Sequence, residues 1–281
     1  NSSYGYLGAF QSDGFTVTSG SSGDERVNNN NDTYVMWGWK ANGGSRTTFT
    51  ESGNNPGGGY QANTTAGFSI IDYTGTGGAG TVAHGLGVAP EFLIAKSRSA
   101  SGKSWGVWHK DILNTHYLTL QTTNAKSDYA GFLNDTSPTS SNITLGDWGD
   151  TNGDGNTHIM YAFAPIQGYS KFGSYAGNGS TDGPFVYTGF KPAWVILKRH
   201  SGVADWNMFD NKRPGYNETN ARLRANDSTV ESTSDAGVDL LSNGFKCRLG
   251  SEFNANSTTN IYMAFAESPF VSSKGVPTTA R

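Results

Sequence analysis

The chain of 281 residues is long enough for one large domain or a few small ones. Its charged fraction is only 15%, with 20 Lys and Arg against 23 Asp and Glu for a net charge of −3, and no basic cluster stands out, which argues against nucleic acid as a partner. The 38 glycines disfavour helices and suit strands joined by tight turns, the 12% aromatic content is too high for a disordered chain, no apolar run reaches the ~20 residues of a membrane span, and the single Cys247 cannot form an internal disulfide.

In chain order, residues 12–41 read as a short apolar strand, "GFTVT", an Asn-rich turn, and a closing strand of large apolar residues, "YVMWGWKA", that contains Trp39. They resemble "SNGFKCRLGSEFNANSTTNIYMAFAES" at 242–268, with Trp39 in register with Phe163 and Phe265. Residues 1–43 are therefore expected to be the closing half of a repeat. Its opening half would lie N-terminal to residue 1, or the fragment would complete a neighbouring chain. Residues 44–65, "GSRTTFTESGNNPGGGYQANTT", have no periodicity and are rich in Gly and Asn, which predicts a linker or long loop.

Residues 66–168 carry the runs "FSIIDYTG", "EFLIAKSR", "WGVWHK", "YLTLQTT", "NITLG" and "IMYAFA". Residues 169–270 carry a matching list: "SKFGSYAG", "AWVILKR", "WNMFD", "ARLRAN", "GFKCRLG" and "IYMAFA". Pro90 and Pro192, Lys96 and Lys198, and Phe163 and Phe265 all keep one offset of 102 residues, so the chain carries an internal duplication of domain size. Short β-rich runs between turn signals predict an all-β fold of tandem β-sandwich-like repeats, about 100 residues each. "FLIA" and "WVILK" are nearly continuous apolar and are expected to be central strands covered on both faces. The polar tail, 271–281, is expected on the surface or against a neighbour.

The repeated residues have a backbone reading. Gly87 and Gly189 supply a positive φ or a close approach before a strand, and Pro90 and Pro192 fix the strand entry where no ladder N–H is needed. Lys96 and Lys198 are expected to be solvated strand ends with their stems on apolar surface. His84 and His109 are the best candidates for a general base, yet no nucleophile or partner triad accompanies them. They read as a turn cap and as a neighbour of the Trp105 and Trp108 strand.

"GDTNGDGNTH" at 149–158 stands apart. Asp150, Asn152 and Asp154 recur at every second position before Gly155 and Asn156, which is the oxygen-ligand spacing of a calcium loop. The twelfth position is Tyr161 and not Glu, so a full EF-hand is excluded, and a plain Asn/Asp/Gly hairpin turn is the other reading. Calcium is the one candidate cofactor. Trp148 has no counterpart in the second copy and lies in a polar loop beside the Asp cluster, which makes it the candidate aromatic contact for a ligand.

The blocks "HGLGVAPEFLIAKSRS", "SWGVWHK", "GYSKFGSYAGNGSTDGPFVYTGFKPAWVILKR", "FDNKR", "LSNGFKCR" and "IYMAFAESPF" together resemble a repeat domain of tailed-phage virion proteins, best known from marine phages. The resemblance covers nearly all of residues 1–270. It implies a non-enzymatic virion structural protein, in a tail fibre or another particle appendage, with a structural or host-adhesion role. It further implies a homo-oligomer, a trimer by preference, contacts with other virion proteins, and a host cell-surface glycan as a candidate partner. Neither nucleic-acid binding nor membrane insertion is implied. A glycan-binding or glycan-cleaving bacterial surface protein is the alternative, and cleavage would need two carboxylates about 5 to 10 Å apart in a groove.

Overall fold

The computed structural model describes residues 3–11, 14–21, 27–41, 44–235 and 237–267; the tail expected over 271–281 lies outside them. The chain is nearly all-β and forms two compact units, Asn1–Trp39 and Lys40–Arg281.

The small unit pairs β1 (Tyr6–Phe10) with β2 (Phe15–Thr18) as an antiparallel hairpin, with Phe10 opposite Phe15. Phe10 is 79% exposed, and Tyr6, Leu7 and Val17 are exposed as well. The expected closing strand does not form: residues 32–41, Trp39 included, have no regular secondary structure. A strand is held by ladder bonds to neighbours, and the two strands of this unit are paired with each other.

The large unit begins with β3 (Thr47–Phe49) and β4 (Gly58–Asn63). The segment expected as a linker is thus part of a sheet. Glycine hid the strand: a Cβ at Gly58 would stand 2.1 Å from the Asp72 carbonyl oxygen, so only a bare backbone fits there. Then come β5 (Phe68–Thr74), β6 (Gly80–Ala83), β7 (Phe92–Ser97), β8 (Trp105–His109), β9 (His116–Thr119), β10 (Ser127–Asp128), β11 (Asn142–Leu145), the one-turn helix α1 (Gly149–Asn152) and β12 (Thr157–Phe163). The second half holds β13 (Ser170–Ala176), β14 (Phe185–Tyr187), β15 (Trp194–Arg199), β16 (Trp206–Asp210), β17 (Leu223–Arg224), β18 (Val238–Leu241), β19 (Gly244–Cys247) and β20 (Thr259–Phe265).

An eight-stranded sheet runs β10-β9-β8-β7-β12-β5-β4-β3, and a five-stranded sheet runs β13-β20-β15-β16-β17. The second repeats the order β5-β12-β7-β8-β9 of the first. Phe163 lies opposite Phe68 and Phe92, and Phe265 lies opposite Ser170 and Trp194, so the register recurs at the same offset. Each large sheet has a small companion, β11-β6 in the first half and β14-β19-β18 in the second. In the second half Val195, Leu197, Phe209, Tyr262 and Ala264 of the large sheet pack with Val186, Val238, Leu240, Phe245 and Cys247 of the small one. That is sandwich packing, and each large side chain so buried stabilises by roughly 1.5–3 kcal/mol. The two hairpins invite comparison: Leu240 opposite Phe245 on β18 and β19 is the pairing that Phe10 and Phe15 make in the small unit, but here both side chains are buried.

The strand entries follow from Gly and Pro. Gly87 has φ 74° and Gly189 φ 88°, and Pro90 and Pro192 each precede the strand by two residues. The chain turns where only glycine is comfortable and enters the sheet where no N–H is needed.

The two halves meet at an aromatic seam. Phe92 and Phe163 pack against Phe172 at centroid distances of 6.2 and 6.4 Å, and Phe163 packs against Phe265 at 5.9 Å. Trp206 Nε1 donates to the Thr119 carbonyl at 3.1 Å, and the Ala204 N–H donates to the Thr123 carbonyl at 3.0 Å. This is why β15 is buried on both faces, while Ile94 and Lys96 on β7 are half-buried. Lys198 corrects the expectation of a solvated strand end. It is fully buried, donates to Thr123 O at 2.9 Å and Ala204 O at 2.6 Å, and stands 5.9 Å from the Trp206 ring centroid. Burial lowers its pKa to about 8. Lys96 makes the half-buried version, donating to the Lys103 carbonyl and lying over Trp105.

Candidate functional site

The expected calcium loop is organised differently. Asp150 sits in α1 and accepts from the Ser104 N–H at 2.9 Å, with Lys103 Nζ 3.5 Å away. Asn152 is fully buried. Its amide donates to Gly78 O and Gly146 O, each at 2.8 Å, and its Oδ1 accepts from the Thr76 N–H at 3.1 Å. Asn156 accepts from Ser99 at 3.2 Å, and Asp154 is exposed. A short helix turns successive side chains apart, so the alternation seen in sequence does not converge its oxygens. Among the described residues no group of three or more His, Cys, Asp or Glu is placed to hold a metal ion.

Asn152 is instead one of a pair. Asn254 accepts from the Asn178 N–H at 3.0 Å and donates to Ser180 O at 2.8 Å and Leu249 O at 2.9 Å. Nearby, Tyr73 Oη donates to Thr151 O at 2.5 Å and Tyr175 Oη to Phe253 O at 2.7 Å. Both halves therefore use a buried Asn and a Tyr to tie the same turn to a distant strand, β5 or β13, and to the loop that follows it. The repeated polar residues satisfy backbone.

The histidines do the same. His84 and His109 are fully buried. His109 Nδ1 accepts from the Asp111 N–H at 3.0 Å, which leaves the proton on Nε2 to donate to Tyr262 O at 3.3 Å. His84 Nδ1 accepts from the Leu86 N–H at 3.2 Å while Nε2 faces Thr139 O at 3.1 Å. With both ring nitrogens occupied, neither is arranged as a base. Trp148 packs on Tyr117, Tyr129 and Phe132 at centroid distances of 4.6, 5.9 and 5.8 Å, an aromatic cluster around the turn that starts α1.

The described residues include a cleft with a more suggestive lining at the seam between the halves. It has a volume of about 420 Å³. One wall is β14, an edge strand whose Phe185 and Tyr187 are 47% and 59% exposed. They are two residues apart on a strand and so project to one side, with buried Val186 pointing to the core between them. The floor is Gly173 on β13, where a Cβ would stand 2.7 Å from Tyr262 Oη. The opposite wall is the 3-10 turn Lys110–Ile112, which brings Lys110 and Asp111. Lys110 donates to Asp111 at 2.8 Å. Burial raises the Asp111 pKa, but Lys110, His109 and the Ser174 hydroxyl outweigh it and leave the carboxyl below its ordinary value. Lys171 donates to Tyr187 O at 2.8 Å and lies 5.0 Å from that residue's ring centroid. Glu91 lies within electrostatic reach, with its pKa raised by burial. Tyr262 is pushed up to about 12 by burial, with Asp111 and Glu91 adding to it.

Repeat logic separates this groove from the scaffold. At the matching positions of the first half Phe185 is Ala83, Tyr187 is Gly85, Gly173 is Ile71 and Tyr262 is Met160. Sequence reading missed the groove because "GPFVYTGF" looked like one more strand of a repeat. The signal was an aromatic pair in one copy without an aromatic in the other. A second cleft, about 330 Å³, holds Arg46 and Asp72, which are paired with each other at 2.5 Å.

Fold and site together define an all-β protein whose large unit holds two sandwich-like halves, with a mixed aromatic and charged groove at the seam between them. The chain belongs to the family described as domain of unknown function DUF7483, whose profile matches residues 1–269. No curated protein and no solved structure matches it.

Proposed function

We propose that the protein is a virion structural protein of a tailed phage, part of a tail fibre or another particle appendage, with a role in host adhesion. The observation that carries this reading is the seam. Two sandwich halves are joined by an aromatic cluster, the Trp206 and Lys198 bonds and backbone pairing at Ala204, which makes a stiff body suited to transmitting force and resisting proteases. The resemblance of the repeat blocks to phage virion repeats supplies the location. Under this reading the protein works as a homo-oligomer, by preference a trimer, in contact with other virion proteins. The test is mass spectrometry and immunogold labelling of purified particles, with light scattering on the free protein for subunit number. Absence from particles defeats the reading, and a monomer defeats its oligomeric part.

A second reading, glycan binding or cleavage at a bacterial surface, is favoured by one observation. Glu91 and Asp111 are electrostatically linked and have carboxyl pKa values displaced in opposite directions, upward for Glu91 by burial and downward for Asp111. Two carboxyls of unequal acidity are one of the elements that glycoside hydrolysis uses. Release of reducing ends from host polysaccharide, abolished in Glu91→Gln, would establish it in place of passive adhesion.

A further inference from the structure

We propose that the seam groove is a saccharide-binding site for neutral pyranose units, with Tyr187 as the stacking platform and Asp111 as the hydroxyl acceptor. The proposal rests on the adhesive part of the reading above and names its ligand.

Tyr187 and Phe185 are exposed side by side on an edge strand, although the same sandwich buries Val238, Leu240 and Phe245 on that sheet. Leaving both rings in water forgoes burial that their neighbours obtain. The Tyr187 ring is also fixed before any ligand arrives, because the Lys171 ammonium lies near it and bonds the residue's own carbonyl. A ring held in this way loses little freedom on binding. A pyranose offers a flat face of C–H groups that suits the negative face of such a ring.

The polar wall completes the match. A sugar ring presents hydroxyls at its rim while its face is stacked. Here the rim would meet a carboxylate, Asp111, a lysine ammonium, Lys110, and the hydroxyl of Tyr262. Asp111 is held ionised, so it accepts strongly, and two adjacent hydroxyls can each donate to one of its oxygens. The volume of about 420 Å³ falls in the usual range for small-ligand sites. Charge selects the class: Lys110 and Lys171 are matched by Asp111 and Glu91, which gives no net attraction for an anionic chain. Gly173 keeps the floor open, since any side chain there would press on the Tyr262 hydroxyl.

The test is saturation-transfer NMR and calorimetry on the full chain. The probes are methyl glucopyranoside, methyl galactopyranoside, methyl mannopyranoside and a dextran oligosaccharide, with oligogalacturonate as the anionic comparison. At least one neutral probe is expected to bind. Tyr187→Ala and Asp111→Asn should each weaken it at least tenfold, and Tyr187→Ala should leave the melting temperature unchanged because the ring is exposed. Binding that survives Tyr187→Ala, a preference for oligogalacturonate, or no binding by any neutral probe would overturn the proposal. These measurements need no particle. Binding by a chain absent from virions would sink the appendage reading alone, and a silent groove on a chain found in virions would sink the saccharide site alone.

Discussion

His109 on β8 places its Nε2 3.3 Å from the carbonyl oxygen of Tyr262 on β20, so a neutral imidazole from the first half spans the seam to the second. The bond needs a proton on one nitrogen and a lone pair on the other, because Nδ1 already accepts from the Asp111 N–H. Burial lowers the His109 pKa, and it lowers that of His200, also at the seam, from 6.5 to about 4. The unfolded chain therefore takes up protons below pH 6.5 that the folded chain refuses, and stability falls with pH across that window. We expect a loss on the order of 1–3 kcal/mol between neutral pH and about pH 4, read as a falling melting temperature. The variant His109→Asn should melt lower at pH 7 and show a shallower pH dependence. An unchanged slope would remove His109 from the account.

The Asn152 and Asn254 staples give a second prediction. Each buried amide satisfies three backbone groups. Replacing either by Ala orphans all three, at a cost of about 2–4 kcal/mol in chemical denaturation. Asn152→Asp should also destabilise, because the carboxylate cannot donate to Gly78 O and Gly146 O. Since Asn152 faces inward, melts in millimolar calcium and in chelator are expected to coincide. A rise of several degrees with calcium would show that the turn rearranges around a cation.

Much of this architecture was legible in the sequence, and what was hidden was hidden for physical reasons. Period-two apolar runs and Gly–Pro punctuation report directly on strands and their entries, so β5, β7, β12 and their later counterparts could be read. The strand β4 could not, because Gly58 and Gly59 carry no side chain to mark a face. The analogy of Trp39 with Phe265 predicts a strand, but residues 32–41 have none of the ladder pairing by which β13 and β15 hold β20. Polar spacing misled most. Asp150, Asn152 and Asp154 alternate as calcium ligands would, yet one turn of helix sends Asp150 and Asn152 to different partners, and Asp154 beyond it is exposed. The groove is built from residues 110–111, 171–174, 185–187 and 262, which become neighbours through the packing of two halves, and spacing along the chain carries no trace of that.

Lys198 and Lys96 occupy matching positions and should respond unequally. Lys198 is sealed under the segment that carries Thr119 and Thr123, and its loss leaves a cavity and two unpaired carbonyls. Lys198→Ala is expected to cost about 3 kcal/mol, and Lys96→Ala, at a half-buried site, under about 1 kcal/mol. The pKa of Lys198 also falls, from 10.5 to about 8, so the unfolded chain holds the extra proton between those values. This group alone makes stability rise with pH across that window, and Lys198→Met should abolish the rise. Cys247 acts in the opposite sense, because burial raises its thiol from 9.0 to about 12 and stability is lost as the unfolded thiol ionises. Comparing Lys198→Met with Cys247→Ala between pH 8 and pH 10 separates the two contributions.

The seam should make the two halves of the large unit one cooperative body. Phe172 packs on Phe92, Phe163 and Phe265, with centroids 6.0–6.4 Å away, and is 2% exposed. Phe172→Ala would empty the middle of the cluster and cost about 3–5 kcal/mol. If the halves fold as one unit, calorimetry of the full chain should show a single transition for the β3–β20 region, and this variant should move all of it downward together. Hydrogen exchange gives the same information by position: amides of β7 and β12 in one half and of β15 and β20 in the other should lose protection in parallel. If instead one half keeps its wild-type protection while the other loses it, the seam is a contact between independent domains, and the stiffness on which the appendage reading depends is absent.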